Sequence, residues 1–453
     1  MELTNGCRVH FIGIGGISMS GLAHILIHDG CVISGSDRSD CTHINELRSL
    51  GADISIGHSA ENIKFQDLVV YSAAIGKDNP ELVRARELGI KVIDRAELMG
   101  MVMKNYTMPI AVSGTHGKTT TTGMLSQIFI SAHKDPTITI GGDLDCIGGN
   151  IRIGAKDFFI CEACEYHQSF LRFFPKMSLI LNIEEDHLDY FKDLEHIIST
   201  FRALALLTPL DGYIIANADN ENVRRALDGV ERSVITFSVS GNADYSCGDV
   251  FTDADGCCEF TVLFKGTPIA RPHLTVPGRH NMADALAAAA AAHTAGVEPH
   301  VIERALSLFC AAHRRFEHKG IYHGAKVIDD YAHHPTEIKA TVDAAAKSEH
   351  NDIYLVFQPH TYTRTKTLFC DFADTLSNCG ARVIVTDIYA AREKDTGIVS
   401  AKELAEHIDG SVYIKDFDEI VKLLRRTVKE GDIVLTVGAG DVYKIGEMLL
   451  ENR

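Results

Sequence analysis

The run Ile110-Ala-Val-Ser-Gly-Thr-His-Gly-Lys-Thr-Thr-Thr-Thr-Gly-Met124 combines two loop glycines, a lysine and a file of hydroxyls. These residue types at this spacing make a phosphate-binding loop between a strand and a helix. Gly114 and Gly117 let the backbone N–H groups around Thr115 and His116 wrap an anion. Lys118 reaches the terminal phosphates, and the Thr119 hydroxyl suits Mg²⁺. Four threonines are poor helix-interior residues, but in a first turn Thr119, Thr120 and their neighbours serve as ligands and caps. The general spacing asks for glycine at 112, where Val112 stands, so the loop is a shortened variant. ATP is the expected ligand.

Two acidic strings, Glu162-Ala-Cys-Glu165 and Glu184-Glu-Asp-His-Leu-Asp189, each follow an apolar run. In an open parallel sheet they belong at the same carboxyl edge as the loop. Magnesium on a triphosphate takes hard oxygen ligands, and a second cation accepts an imidazole, so Thr119, Glu162 and His187 are the candidate metal ligands. Near the amino terminus, Gly13-Ile-Gly15-Gly16-Ile-Ser18 precedes a helix, and Asp37 ends the next strand. The turn is of the dinucleotide-binding type, with Ser18 in place of the third glycine. It fits either a nicotinamide cofactor or the diphosphate of a UDP-linked substrate.

A third group lies toward the carboxyl terminus: Asp329-Asp-Tyr331-Ala-His333-His-Pro335, Gln358-Pro-His360-Thr-Tyr-Thr-Arg364 and Asp387-Ile-Tyr-Ala-Ala-Arg-Glu-Lys394. Each follows an expected strand. Together they offer a guanidinium for a carboxylate and imidazoles for an amine, which is a binding set for a small zwitterion.

The elements that must position these groups read as alternating strands and helices, hence α/β domains with parallel sheets. Expected strands cover 9–12, 32–34 and 68–71 in a first block, and 108–112, 158–161, 179–183 and 213–216 in a second. They cover 327–329, 353–357, 383–386 and 433–437 in a third. Helices are expected at 44–50, 80–88, 336–347 and 417–429. An alternating stretch at 258–264 predicts an antiparallel hairpin, and an alanine-rich helix follows Pro277-Gly278. The expected domains are 1–107, 108–312 and 313–453.

The chain of 453 residues is 45% hydrophobic and 23% charged, with 44 Lys and Arg against 61 Asp and Glu. A formal charge of −17 argues against nucleic acid or an anionic membrane as partner. The sequence shows no secretion signal and no apolar run of membrane-spanning length, so a cytoplasmic protein is expected, monomeric or weakly dimeric. Twelve cysteines without a framework read as reduced thiols, and the Cys161–Cys164 pair lacks the partners of a zinc site.

Taken in order, Gly114-Thr-His-Gly-Lys-Thr119, Glu162 with Asn182-Ile-Glu-Glu-Asp-His187, Gly278-Arg-His-Asn281, Arg314-Arg-Phe-Glu317 and Asp330-Tyr-Ala-His-His-Pro335 span the chain. The set resembles the Mur ligases of bacterial peptidoglycan synthesis. The resemblance implies three domains: a Rossmann-like UDP-binding domain, a central P-loop ATPase-like domain, and a closing domain of dinucleotide-fold type. It implies ATP-dependent ligation through an acyl phosphate. The Gly13–Gly21 turn and the two carboxyl-terminal histidine strings point to the member that joins L-alanine to UDP-N-acetylmuramate.

By the same resemblance, Lys118, Glu162, His187 and Arg315 serve catalysis, with Arg315 on the γ-phosphate, Asn281 on adenine and Asp330 on the nucleotide. His333, His360 and Arg364 would orient alanine beside Tyr331, while Gly15, Gly16, Ser18, Asp37 and Ser72 would line the UDP site. Two residues depart from the family pattern: Thr361 stands where some members have a second arginine, and Asp284 where asparagine is expected. The alternatives are a recycling ligase that attaches a preformed tripeptide, a nicotinamide-dependent oxidoreductase, and a non-catalytic nucleotide sensor.

Overall fold

The computed structural model describes residues 3–188, 190–391 and 393–451. Asp189 of the second acidic string and Arg392 of the third carboxyl-terminal string lie outside them. The chain forms two compact units, one built from residues up to 114 with 129–183 and 198–235, the other from 115–128, 184–197 and 236 onward.

In the first unit, five parallel strands lie in the order Asp53–Ile56, Val32–Asp37, Arg8–Ile12, Leu68–Tyr71, Lys91–Asp94. Val9, Phe11 and Ile12 are fully buried at its centre. Pro80 opens the helix Pro80–Glu87 behind an Asn79 side chain that accepts from the N–H groups of Glu81 and Leu82, a local stop-and-start signal legible in the sequence.

The same unit holds Tyr213–Asn217, Met177–Ile180, Met108–Ser113, Phe158–Ala163 and Thr137–Leu144 as neighbouring parallel strands. Gly149–Arg152 folds back antiparallel on the last of these. The strand expected at 179–183 is instead Met177–Ile180. Past it, Leu181 N still donates to Ser113 O at 3.0 Å. The carbonyls of Leu181 and Ile183 then accept from the side-chain amides of Asn217 and Asn222, at 2.8 and 2.9 Å. Asparagine side chains thus take over from the backbone ladder, and apolar burial alone does not reveal that exchange.

In the second unit, Tyr245–Thr252 and Cys257–Phe264 form the expected antiparallel hairpin, with a bulge between Gly248 and Phe251. The helix Arg279–Thr294 is buried without interruption from Ala285 to Ala292, and every one of those positions but Leu286 is alanine, whose small side chain lets backbones approach closely on every side. The carboxyl-terminal sheet runs in the order Glu317–Tyr322, Ala325–Asp330, Ile433–Val437, Ile353–Phe357, Arg382–Val385, Val412–Tyr413, parallel except for the first pair. Ile353, Leu355 and Phe357 pack into one core and Tyr354 and Val356 into another. A strand buried on both faces reads as a continuous apolar run.

Candidate active site

The strand Met108–Ser113 ends at the phosphate loop, and the helix Lys118–Ser131 begins with the lysine, so Thr119 to Thr122 form its first turn as expected. Met124, Leu125, Ile128 and Phe129 are its fully buried stripe. Gly117 has φ +80°, and a Cβ there would lie 2.4 Å from Asp284 Oδ1. No other residue type fits that approach. Lys118 Nζ donates to Thr115 O at 3.0 Å, and Glu184 N donates to the Thr115 hydroxyl at 2.9 Å.

Arg315 brings a second cation to the loop, with Nη2 donating to Thr119 Oγ1 at 3.4 Å and the guanidinium 5.2 Å from the Tyr331 ring centre. Its neighbours hold it there. Arg314 donates to Asp329 at 3.0 Å and to the carbonyls of Gly438 and Gly440 at 2.7 and 2.9 Å. Asp330 accepts from Phe316 N and Ala332 N, both at 2.7 Å. Asp330 therefore fixes the turn that carries Arg315 and Tyr331. Burial raises its pKa to about 6 against the pull of Arg315. Asn281, on the helix that Asp284 shares, is buried with its Nδ2 on Pro277 O at 2.6 Å.

Asp284 itself receives the Thr121 hydroxyl at 3.1 Å. Burial raises its pKa from 3.8 to about 7, opposed by the Thr121 hydrogen bond and the positive charge of Arg315. The phosphate loop is thus backed by a carboxylic acid that burial keeps largely protonated below neutrality.

His116 lies between two carboxylates, with Nδ1 3.0 Å from Glu337 Oε1 and Nε2 3.3 Å from Glu184 Oε2. Burial pulls the imidazole down, but Glu337 and Glu184 outweigh it and push its pKa up to about 10. Ligand atoms of His116, Glu184 and His334 come within 4.8 Å of one another, a spacing that also suits a metal. The ion pairs argue otherwise. Both nitrogens of His116 face carboxylate oxygens, so it is an imidazolium without a lone pair to give. His334 is committed too, accepting Thr336 N at Nδ1 and reaching Glu185 O through Nε2 at 3.2 Å.

The carboxyl-terminal strings converge in the same unit. His333 and His360 ring centres are 5.8 Å apart, and His360 stacks on Tyr389 at 5.9 Å. His333 Nδ1–H donates to Tyr331 O at 2.9 Å, which leaves Nε2 as the acceptor nitrogen; burial lowers this pKa to about 4, so the ring is neutral. Arg364 donates through Nη1 to His360 Nδ1 at 3.2 Å, and through Nε and Nη2 to Asp186 Oδ1 at 3.3 and 3.1 Å. Burial acts to raise the Asp186 carboxyl, but Arg364, together with the neighbouring histidines and the His187 N–H, outweighs it and holds the acid well below the usual range. His187, at φ +53°, keeps Nε2 3.6 Å from Asp186 Oδ2. Sequence reasoning assigns no individual role to Glu184 and Asp186, though both stand in the second acidic string, and does not single out Glu337. The local signal for Glu337 is its place three residues after the cap of its helix.

The first unit gathers the amino-terminal residues. Gly15 N donates to Asp37 Oδ2 at 2.9 Å, a Cβ on Gly13 would lie 2.9 Å from Ser72 Oγ, and Gly16 caps the helix Ile17–His28. Ser18 accepts from Arg95 Nη1 at 2.9 Å. A cavity of about 280 Å³ in this unit is lined by Ser18, Arg95, Gly141 and Glu162 among others. Glu162 Oε1 accepts from Gly141 N at 2.6 Å. Of the three candidate metal ligands, Glu162 belongs to this unit, and Thr119 and His187 to the other. All twelve cysteines are free thiols.

The chain belongs to the Mur ligase family, a class of ATP-dependent ligases. The model described as Mur ligase family, catalytic domain, matches residues 8–107, Mur ligase middle domain matches 112–292, and Mur ligase, glutamate ligase domain, matches 314–440. Within the family, the chain is 48% identical to a UDP-N-acetylmuramate–L-alanine ligase of Caldanaerobacter subterraneus, covering 100% of this chain and 99% of that one. It is 50% identical to the protein of the same name in Acetivibrio thermocellus, covering 98% and 96%. A crystal structure of UDP-N-acetylmuramate-alanine ligase from Thermotoga maritima superposes with a TM-score of 0.80 at 29% identity over 98% of both chains.

Proposed function

We propose that the phosphate loop and the histidine cluster of the second unit activate and ligate the substrates through an acyl phosphate, with the residue roles given below. The chain is a ligase that adds L-alanine to UDP-N-acetylmuramate with ATP, in peptidoglycan synthesis. The observation that carries the residue-level reading is that one compact unit holds both a cation-flanked phosphate loop and a separate His333–His360–Arg364 cluster.

A carboxylate is a poor electrophile, and its charge repels the phosphoryl group it must attack. Lys118 and Arg315, both at the loop, offset that repulsion by positioned charge. The lactyl carboxylate oxygen takes the γ-phosphoryl group and ADP departs. The alanine amine then attacks the acyl carbon, and phosphate leaves with the oxygen that bridged it. Arg364, oriented by Asp186, and His360 face the amino acid, with Tyr331 alongside. His333 offers an unprotonated Nε2 to the amine. Asp330 sets the Arg315 turn, and Asn281 borders the nucleotide.

In this reading Thr119 would offer a hydroxyl oxygen to Mg²⁺ and His187 an imidazole to a second divalent ion, the part of such ions when bound being to neutralise phosphate charge. The role of Glu162 in the same reading rests on the family resemblance. Gly15, Gly16, Ser18, Asp37 and Ser72 receive the UDP moiety. We place the reaction in the cytoplasm; no described helix is long and apolar enough to cross a membrane.

The test is ADP release by purified protein. The reading requires release only when UDP-N-acetylmuramate and L-alanine are both present. Release driven by tripeptide and not by alanine would instead identify a recycling ligase, and NADH binding without ATP binding would overturn both.

A further inference from the structure

We propose that Glu337 is a positioning residue that couples the phosphate loop to the acceptor-amine site, one carboxylate oxygen holding His116 and the other holding the backbone of His333 and His334. The inference rests on the reading above, in which the phosphate loop that carries His116 binds ATP and His333 meets the alanine amine.

Glu337 is the third residue of the helix Pro335–Ala345, where an acid ordinarily turns back to cap its own amino terminus. Here Oε2 does so, accepting His333 N at 3.0 Å and His334 N at 3.4 Å. Oε1 points away, to His116 Nδ1 at 3.0 Å, 221 residues distant in sequence. The charged and titratable groups around the pair are Glu184 on the far side of His116, and His334, whose ring centre is 4.9 Å from that of His116. Arg315 and Asp284 also exert their fields here. Thr336 donates to Glu184 at 3.1 Å, tying the same helix to the far carboxylate.

Helix capping alone does not need this arrangement. A glutamine would cap equally well, whereas only a carboxylate pairs with an imidazolium. A shift of the loop when nucleotide enters moves His116, then Glu337, then the peptide that carries His333. Linkage is reciprocal, so alanine must in turn tighten the nucleotide site.

The experiment is calorimetric titration of β,γ-imido-ATP into full-length protein containing UDP-N-acetylmuramate, with and without saturating L-alanine. In the wild type alanine should tighten nucleotide binding about tenfold, within the usual range of such coupling. In Glu337→Gln, which keeps the cap and loses the charge, the factor should fall below about twofold. His116→Asn, which removes the other charge and leaves the cap intact, should reproduce that loss. The double variant should be no worse than either alone. If either single variant is poorly folded by circular dichroism, the other decides. A wild-type factor near one, or coupling retained in the folded variants, overturns the proposal. Alanine-dependent ADP release by the wild type, run alongside, separates the two failures: if it is present without coupling, only this proposal falls; if it is absent, the reading and the proposal fall together.

Discussion

Asp284→Asn removes a buried acid whose protonation the fold must maintain. The pKa of Asp284 is raised from 3.8 to about 7, chiefly by burial. The folded state therefore binds more protons than the unfolded chain between those values. Wild-type stability falls as pH rises through that window and stays low above it. At about 1.4 kcal/mol per pH unit, the penalty is about 1.5 kcal/mol at pH 5 and reaches about 4 kcal/mol by pH 8, as a ceiling. Asparagine keeps the carbonyl oxygen that receives the Thr121 hydroxyl and carries no charge at any pH. The advantage of the variant should thus widen by up to about 3 kcal/mol between pH 5 and pH 8, several degrees in unfolding midpoint. The assay is thermal unfolding of both proteins at four pH values, read as the difference in midpoint so that other titrating groups cancel. A difference that is flat with pH, or that narrows as pH rises, refutes the reasoning.

Lys118→Ala should lower turnover at least about 100-fold while sparing UDP-sugar affinity, since the lysine serves the phosphates alone; retained turnover contradicts that role. Gly117→Ala, which places a methyl 2.4 Å from Asp284 Oδ1 at φ +80°, should weaken ATP binding at least about tenfold by nucleotide titration. Normal affinity would show that the loop yields. Asp186→Asn leaves the Arg364 guanidinium, 10% exposed, without its carboxylate. It should cost about 3 kcal/mol and raise the KM for alanine, and an unchanged KM with an unchanged midpoint would sink the assignment of Arg364.

The strand-loop-helix of the phosphate site was legible because the local chain encodes it: an apolar run, two glycines, a lysine, then a buried stripe at Met124, Leu125, Ile128 and Phe129. The strand 353–357 and the hairpin strand ending at Phe264 were legible for the same reason, through an unbroken and an alternating apolar pattern. The strand expected at 179–183 shows the limit, since apolar burial continues to Ile183 while the backbone ladder goes no further than Leu181 N. The ion pairs that shape the site were not legible. Arg364 meets Asp186 across 178 residues, and His116 meets Glu337 across 221. Nothing local marks which of 61 acids each cation will face. Buried Glu81 makes the same point: it takes hydrogen bonds from Ser36, Ser59 and Asn62, and no sequence pattern sets it apart.

The central claim is that the lactyl carboxylate becomes a mixed anhydride with phosphate before the amine attacks. UDP-N-acetylmuramate labelled with ¹⁸O in that carboxylate, turned over with ATP and L-alanine, tests it directly by mass spectrometry of the released phosphate. The account predicts phosphate carrying one ¹⁸O atom from the sugar nucleotide; phosphate without label, formed in step with the amide product, would contradict it.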